Sequence, residues 1–166
     1  MVTNQSTGAL WTINRIVALV LGIVFLALGI IGFFTPEENS THVQAIFGIF
    51  DTDLVYNIIN TVVGVVGIIA AFIGQSRTFN QVFGVLFTLL GILSLIPQLY
   101  FPTDKYNNDA GLFLNLYHAN AGDHILQLVA GIIALLVGFF FAGSAVHTTP
   151  AASRDANTST TTDTTV

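Results

Sequence analysis

Four stretches of this chain are each about as long as a bilayer is thick and contain no Asp, Glu, Lys or Arg: Ile16 to Phe34, Leu54 to Gly74, Thr78 to Ile96 and His124 to Ala142. A hydrocarbon core of ~30 Å takes about 20 helical residues. A backbone crossing that core must satisfy its own amides and carbonyls, so it crosses as a helix or in a closed barrel. None of the four alternates apolar with polar residues as a barrel strand does. Composition removes the soluble alternative. The chain is 53% hydrophobic and 8% charged, against about 25% charged for an average soluble domain, too little for a polar shell. The 14 Phe and 15 Gly suit a lipid-facing, closely packed bundle. The sequence therefore predicts an all-α fold, an integral membrane four-helix bundle. The bundle occupies 13–143, between an N-terminal segment 1–12 and a tail 144–166.

The first span is expected to be retained. Its apolar run exceeds the roughly 7–15 residues of a secretory signal, and it ends in Phe33-Phe34-Thr35-Pro36 with no small-residue cleavage site. Basic residues flanking spans favour the cytoplasmic side. Arg15, Arg77 and Arg154 fall on one side of the predicted topology and Lys105 alone on the other, so both termini are expected in the cytoplasm. Between spans, Val43 to Phe50 is too short to cross and is expected to lie at the interface or re-enter between helices, as is Gly111 to Tyr117. Trp11, Tyr100, Tyr106 and Tyr117 sit near span ends, where interfacial aromatic anchors belong. The Thr/Ala/Ser/Asp tail has few apolar residues to bury and is expected to be disordered. Net charge is -5 with four Lys and Arg, which excludes a nucleic-acid partner and a polybasic headgroup patch. Cysteine is absent, which removes disulfides, thiolate zinc and redox thiols.

The spans also resemble one another. Arg15 is followed by Gly22, Gly29 and Pro36 at seven-residue steps, and Arg77 by Gly84, Gly91 and then Pro97. VLGIVFLALGII from Val20 lies over VFGVLFTLLGIL from Val82, with Phe25 and Phe87 in register. NIINTVVGVVG from Asn57 lies over HILQLVAGIIA from His124, matching Asn60 to Gln127 and Gly64 to Gly131. The chain thus reads as two tandem helical hairpins forming a parallel internal repeat about an axis along the membrane normal. Small residues recur seven apart in every span: Gly22 and Gly29, Gly64 and Ala71, Gly84 and Gly91, Gly131 and Gly138. Seven residues is close to two helical turns, so each pair shares a face on which backbones approach. These faces are expected to form the inner seam of the bundle.

The strings FGIFDTDLVYNIINTVVGVVG and DHILQLVAGIIALLVG, with GIVFLALGIIGFF in the first span, resemble the prokaryotic membrane proteins grouped as domain of unknown function 4383. The likeness covers Ile13 to about Phe141. It implies a small four-helix membrane protein of a prokaryotic cell (plasma) membrane, and no established activity. The family pattern has Asn then His opening the second span, and Asp-Asn then His opening the fourth. This chain keeps Asn57 and Asp123 but has Asn60, His124 and Gln127 at the other positions, so no role for a histidine pair carries over.

Polar groups in hydrocarbon find partners or line a cavity. Asn57 and Asn60 are three apart, as are His124 and Gln127, and with Asp123 they form a candidate polar cluster near the outer leaflet. An interhelical amide network is the plainer reading; a pocket for a small ligand or ion is the sharper one. Asp123 and Asp51-Thr-Asp53 read first as helix N-terminal residues favoured by capping and the dipole. The four histidines, His42, His118, His124 and His147, have no metal-ligand spacing. No catalytic group, cofactor or metal is expected. The expected function is non-enzymatic, a structural or accessory component. Its partners are the lipid bilayer and either a homo-oligomer or a larger membrane complex. The alternative is a transporter or ligand-binding membrane protein built on the polar cluster.

Overall fold

The computed structural model describes residues 11–38, 43–101 and 112–141. The segment before Trp11 and the tail after Phe141 lie outside the described residues, as do His42, Lys105, Tyr106, His147 and Arg154. Four helices dominate: α1 (Ile13–Phe34), α2 (Leu54–Ile73), α3 (Ser76–Leu93) and α4 (Ala121–Phe140). Each is long and apolar enough to cross a membrane.

Local chemistry sets the helix ends. Thr12 caps α1 by accepting from the Arg15 amide at 3.2 Å, and Asp53 caps α2 by accepting from the Tyr56 amide at 2.8 Å. Asn120 caps α4 in a reciprocal box with Asp123, so α4 begins at Ala121, a turn before the apolar run. Gly74, at φ +82, closes α2 in the left-handed conformation that glycine tolerates and turns the chain directly into α3. The third helix stops at Leu93, short of Ile96, and the chain then enters a 3-10 turn at Pro97–Leu99. Proline lacks the amide that a longer helix would need.

At the end of the bundle away from the termini, here the loop end, two small sheets cover the helices. β1 (Glu37–Glu38), β2 (Val43–Ile46) and β3 (Phe50–Thr52) form an antiparallel sheet in that order, with Ala45 opposite Asp51 and Ile46 opposite Phe50. Instead of re-entering as a loop, Val43 to Phe50 is thus a strand pair. Phe47 and Gly48 turn it, both at positive φ, with Phe47 81% exposed at the tip. β4 (Tyr100–Phe101) pairs with β5 (Leu112–Phe113), whose Phe113 is fully buried.

α1 packs along α2, and α3 along α4, through glycine. A Cβ on Gly22 would stand 2.7 Å from the Ile68 amide nitrogen; one on Gly29 would meet the Thr61 nitrogen at 2.6 Å. On the other pair, a Cβ on Gly131 would meet the Thr88 nitrogen at 2.5 Å, and one on Gly138 the Gln81 nitrogen at 2.8 Å. Gly64, Gly84 and Gly91 abut Leu26, Leu135 and Leu128 in the same way. The seams therefore run inside these two helix pairs, not through the bundle centre. The centre is filled by aromatics. Phe25 meets Phe83 and Phe87 edge-on at 5.2 and 5.0 Å, and Phe83 stacks on Phe87 at 4.0 Å. The opposite faces carry half-exposed aliphatics such as Val20, Val62, Val82, Leu89 and Ile132, the surface a helix presents to lipid. Where α2 and α3 diverge they leave an apolar groove of about 500 Å³, with Phe79, Phe83 and Phe87 among its walls.

The end holding the termini is tied by side chains reaching backbone. Asn80 Nδ2 donates to Asn14 O and Oδ1, both at 3.0 Å, and Asn14 Nδ2 donates to Phe141 O at 2.7 Å. Arg15 donates to Phe72 O, and Arg77 and Gln81 to Gly138 O. Those acceptors are carbonyls in the last turns of α2 and α4, which have few or no intrahelical donors left and which cations stabilise.

Candidate functional site

The polar residues singled out in the sequence all lie at the loop end, but the helical pitch divides them. Positions three apart on a helix differ by about 60° around its axis. That difference turns Asn57 and Asn60 toward different neighbours.

Asn57 faces α1. Thr52 donates its hydroxyl to Asn57 Oδ1, and a Cβ on Gly32 would collide with that amide. His124 faces the β4 side, where its Nε2 lies 2.8 Å from Tyr100 Oη. Tyr100 Oη also donates to Ser94 O at 2.9 Å. A carbonyl can only accept, so when both bonds are made His124 Nε2 is the donor toward the phenol. Asn57 and His124 therefore do not join a common cluster with Asn60 and Gln127, contrary to the expectation from spacing.

The inward groups pair at i, i+4 instead: Tyr56 with Asn60 on α2, and Asp123 with Gln127 on α4. All four are at most 3% exposed. Tyr56 Oη lies within electrostatic reach of both Asp123 and Gln127. Tyr56 Oη is close enough to hydrogen-bond the side chains of Asp123 and Gln127, short of ideal geometry, while Asn60 Oδ1 is buried without a hydrogen-bond partner among the described residues. Gln127 Nε2 does donate to Tyr117 Oη, at 3.3 Å, and Tyr117 stacks on Tyr56 with centroids 4.7 Å apart. Tyr117, expected as an interfacial anchor, is 4% exposed and forms part of this wall. Sequence reasoning missed Tyr56 and Tyr117. Tyr56 was findable, one turn before Asn60 as Asp123 is one turn before Gln127; Tyr117 comes from a loop and had no such signal.

A shell of acidic residues holds the site from the loop side. Asp123 Oδ2 accepts from the amides of Asn120 and Asp51 at 3.0 and 3.1 Å, which pins β3 to α4. Asn120 Nδ2 donates to Asp51 Oδ1 at 2.7 Å. Asp53 accepts from the His118 amide at 2.7 Å, and His118 Nδ1 stands 3.6 Å from the same carboxylate. Burial alone would raise the Asp53 pKa, but bonds from His118 and from the Tyr56 amide outweigh it and hold the carboxyl below its ordinary value. Burial pushes the Tyr100 phenol up to about 12. No group of three or more His, Cys, Asp or Glu among the described residues is arranged to hold a metal ion.

Four apolar helices of spanning length define the class, a multi-pass helical membrane protein. The sequence profile of the family described as Domain of unknown function (DUF4383) matches residues 15–140, and the chain belongs to that family. This bears out the resemblance read from the first, second and fourth spans. No curated protein and no solved structure matches the chain.

Proposed function

We propose that this protein is a non-enzymatic structural or accessory component of a prokaryotic cell membrane. The observation that carries this reading is the way the polar side chains at the termini are spent. Asn80, Arg15, Arg77 and Gln81 reach backbone carbonyls of another helix, and Asn14 reaches the carbonyl of Phe141 at the C-cap of α4. Together with the glycine seams they serve cohesion of the bundle.

The same contacts support an internal duplication of a helical hairpin. Gly22 abuts Ile68 as Gly84 abuts Leu135; Gly29 abuts Thr61 as Gly91 abuts Leu128; Gly64 abuts Leu26 as Gly131 abuts Thr88. Every partner in the second set is the residue that the aligned repeat matches to its counterpart in the first. Asp53 and Asn120 cap the second and fourth helices at matching positions as well. Arg15 and Arg77 share one end, which by the positive-inside rule faces the cytoplasm together with both termini.

Native mass spectrometry of protein extracted gently from its own membrane tests the assignment. The accessory reading expects a larger assembly, or a homo-oligomer held without a small molecule. A lone bundle carrying a stoichiometric small-molecule adduct would overturn it. The second reading, a ligand-binding membrane protein or carrier, is favoured by one observation: the buried polar side chains Tyr56, Asn60, Asp123 and Gln127 near the loop end. Asn60→Leu with Gln127→Leu separates the two. Loss of binding at unchanged abundance supports the carrier, whereas a phenotype that follows abundance supports the structural component.

A further inference from the structure

Each helical hairpin carries a pocket at its loop end, and the two pockets are built from matching positions. Gly32, Phe33, Thr52, Asp53 and Asn57, with Gln44 of β2, line one of about 310 Å³. The alignment that lays Val20 over Val82 and Asn57 over His124 lays the first five over Ser94, Leu95, Ala119, Asn120 and His124. Those residues line the other pocket.

What differs is a hydroxyl. In the second hairpin Tyr100 Oη stands in the pocket wall, 2.8 Å from His124 Nε2 and 2.9 Å from Ser94 O. In the first hairpin no described residue does the same for Asn57. The Thr52 hydroxyl takes Asn57 Oδ1, which leaves the other end of the amide. Asn57 is 1% exposed, yet its Nδ2 makes no hydrogen bond among the described residues. The half-buried Gln44 amide beside it makes none either.

The chemistry around that opening selects the guest. Asp53 accepts from the amides of Tyr56 and His118 at 2.8 and 2.7 Å, and a carboxylate has about four acceptor positions. Those bonds keep its pKa below the ordinary value, so it is ionised at neutral pH and repels an anion. A cation would meet the Asn57 amide protons and the positive end of α2. A hydroxyl suits both neighbours, since it donates to the carboxylate and accepts from the amide. Phe33, 45% exposed, adds a ring face whose negative quadrupole attracts polarised C–H groups. A sugar ring presents adjacent hydroxyls on its edge and C–H groups on its face. The volume is at the small end of ligand sites, about 300–1,000 Å³, which suits a single ring.

We propose that Gln44, Asp53 and Asn57, with Phe33 as an apolar wall, bind one neutral sugar residue at the loop end of the first hairpin. The comparison with Tyr100 rests on the duplication argued above; the pocket and its polar groups stand without it. The site goes beyond the structural assignment, and the titration that tests it does not read assembly.

The test uses the full chain, purified in a detergent that contains no sugar and returned to phosphatidylcholine nanodiscs. Methyl glucoside, methyl galactoside, methyl mannoside and N-acetylglucosamine are titrated by calorimetry at neutral pH. Parallel discs carry glucosyl- or galactosyl-diacylglycerol, counted by native mass spectrometry against plain diacylglycerol. The site predicts saturable binding of at least one of these sugars, one per chain. Binding of a free glycoside assigns a soluble or wall sugar; a glycolipid retained where its free glycoside is not assigns a membrane headgroup. Either supports the site. Asp53→Asn, which keeps a capping residue, should weaken binding roughly tenfold or more. Phe33→Leu, on an exposed face, should weaken it about two- to tenfold. Asn57→Leu should abolish it; should that variant fail to fold, the other two decide. No sugar binding above that of sorbitol and plain diacylglycerol would overturn the proposal. Binding unchanged in both Asp53→Asn and Phe33→Leu would overturn it by putting the sugar elsewhere. Saturable binding of ethanolamine or phosphate with none of sugar would overturn it too.

Discussion

Gly84→Ala is a sharp test of the seam between α3 and α4. A Cβ on Gly84 would meet the Leu135 backbone nitrogen, with the Leu135 Cα at 2.6 Å and Cβ at 2.8 Å. Two of those three neighbours are backbone, so no rotamer change relieves the contact. An ordinary carbon contact is about 3.5–4.0 Å, so the helices must part by nearly an ångström. A gap of about 0.5–1 Å already forfeits a quarter to a half of each dispersion contact, at ~0.1–0.2 kcal/mol per atom pair. Between membrane helices, packing of this kind drives association. Overpacking of this order costs about 1–3 kcal/mol, partly offset by the better helix propensity of alanine, by up to ~1 kcal/mol. A net loss of about 1–2 kcal/mol is expected, and Gly84→Leu should lose more. Unfolding in mixed micelles of rising dodecyl sulfate fraction measures the loss, with Val85→Ala on the half-exposed face as the control. A Gly84→Ala curve that overlays wild type would refute the seam argument.

Three further outcomes follow from other contacts. Asn80→Leu should destabilise by about 1–2 kcal/mol in the same unfolding assay. It removes two hydrogen bonds averaging ~0.6 kcal/mol each in a membrane and leaves Asn14 carbonyl oxygens without that donor. Asp53 has a lowered pKa in the folded protein, so its contribution is full above the unfolded carboxyl pKa of about 3.9 and fades as pH falls through the lower folded value. Asp53→Asn should therefore flatten the acid limb of a stability-pH curve. Tyr100 shows the opposite sign: with its phenol at about 12 when folded, its contribution holds below the unfolded value of about 10 and is lost as pH rises toward 12. Tyr100→Phe should remove that alkaline loss, and an ultraviolet phenolate titration should lose one component that ionises at about 12.

Much of the fold was legible because lipid imposes a simple requirement, a continuous uncharged helical run. The positions of Arg15, Gly22, Gly64 and Gly84 could be read from spacing, since backbone approach demands small residues whatever the partner. Where spacing misled, the cause was angular. Asn57 and Asn60 look like one polar face, yet the recess left by Gly32 takes Asn57 toward α1. The glycine stripes looked like a central seam, but a stripe says only that something approaches, not which helix. Tyr117 was unreadable for a different reason. Its burial depends on β5 folding back over the helix ends, a contact between segments far apart in the chain.

The two kinds of contact in this bundle differ in stiffness. Within each helix pair, backbone lies against backbone at glycine, a junction with no slack, where any sliding meets peptide groups. Between the pairs lie rings, Phe25 against Phe83 and Phe87, which can tilt and re-stack at small cost. Mechanically, the bundle is two stiff plates on a compliant bearing, tethered at one end by Asn80 to Asn14 and at the other by Asp51 to Asp123. Displacement imposed by a neighbour or by bilayer thickness would be taken up as one plate rocking on the other, with the open groove between α2 and α3 as the clearance that lets it turn.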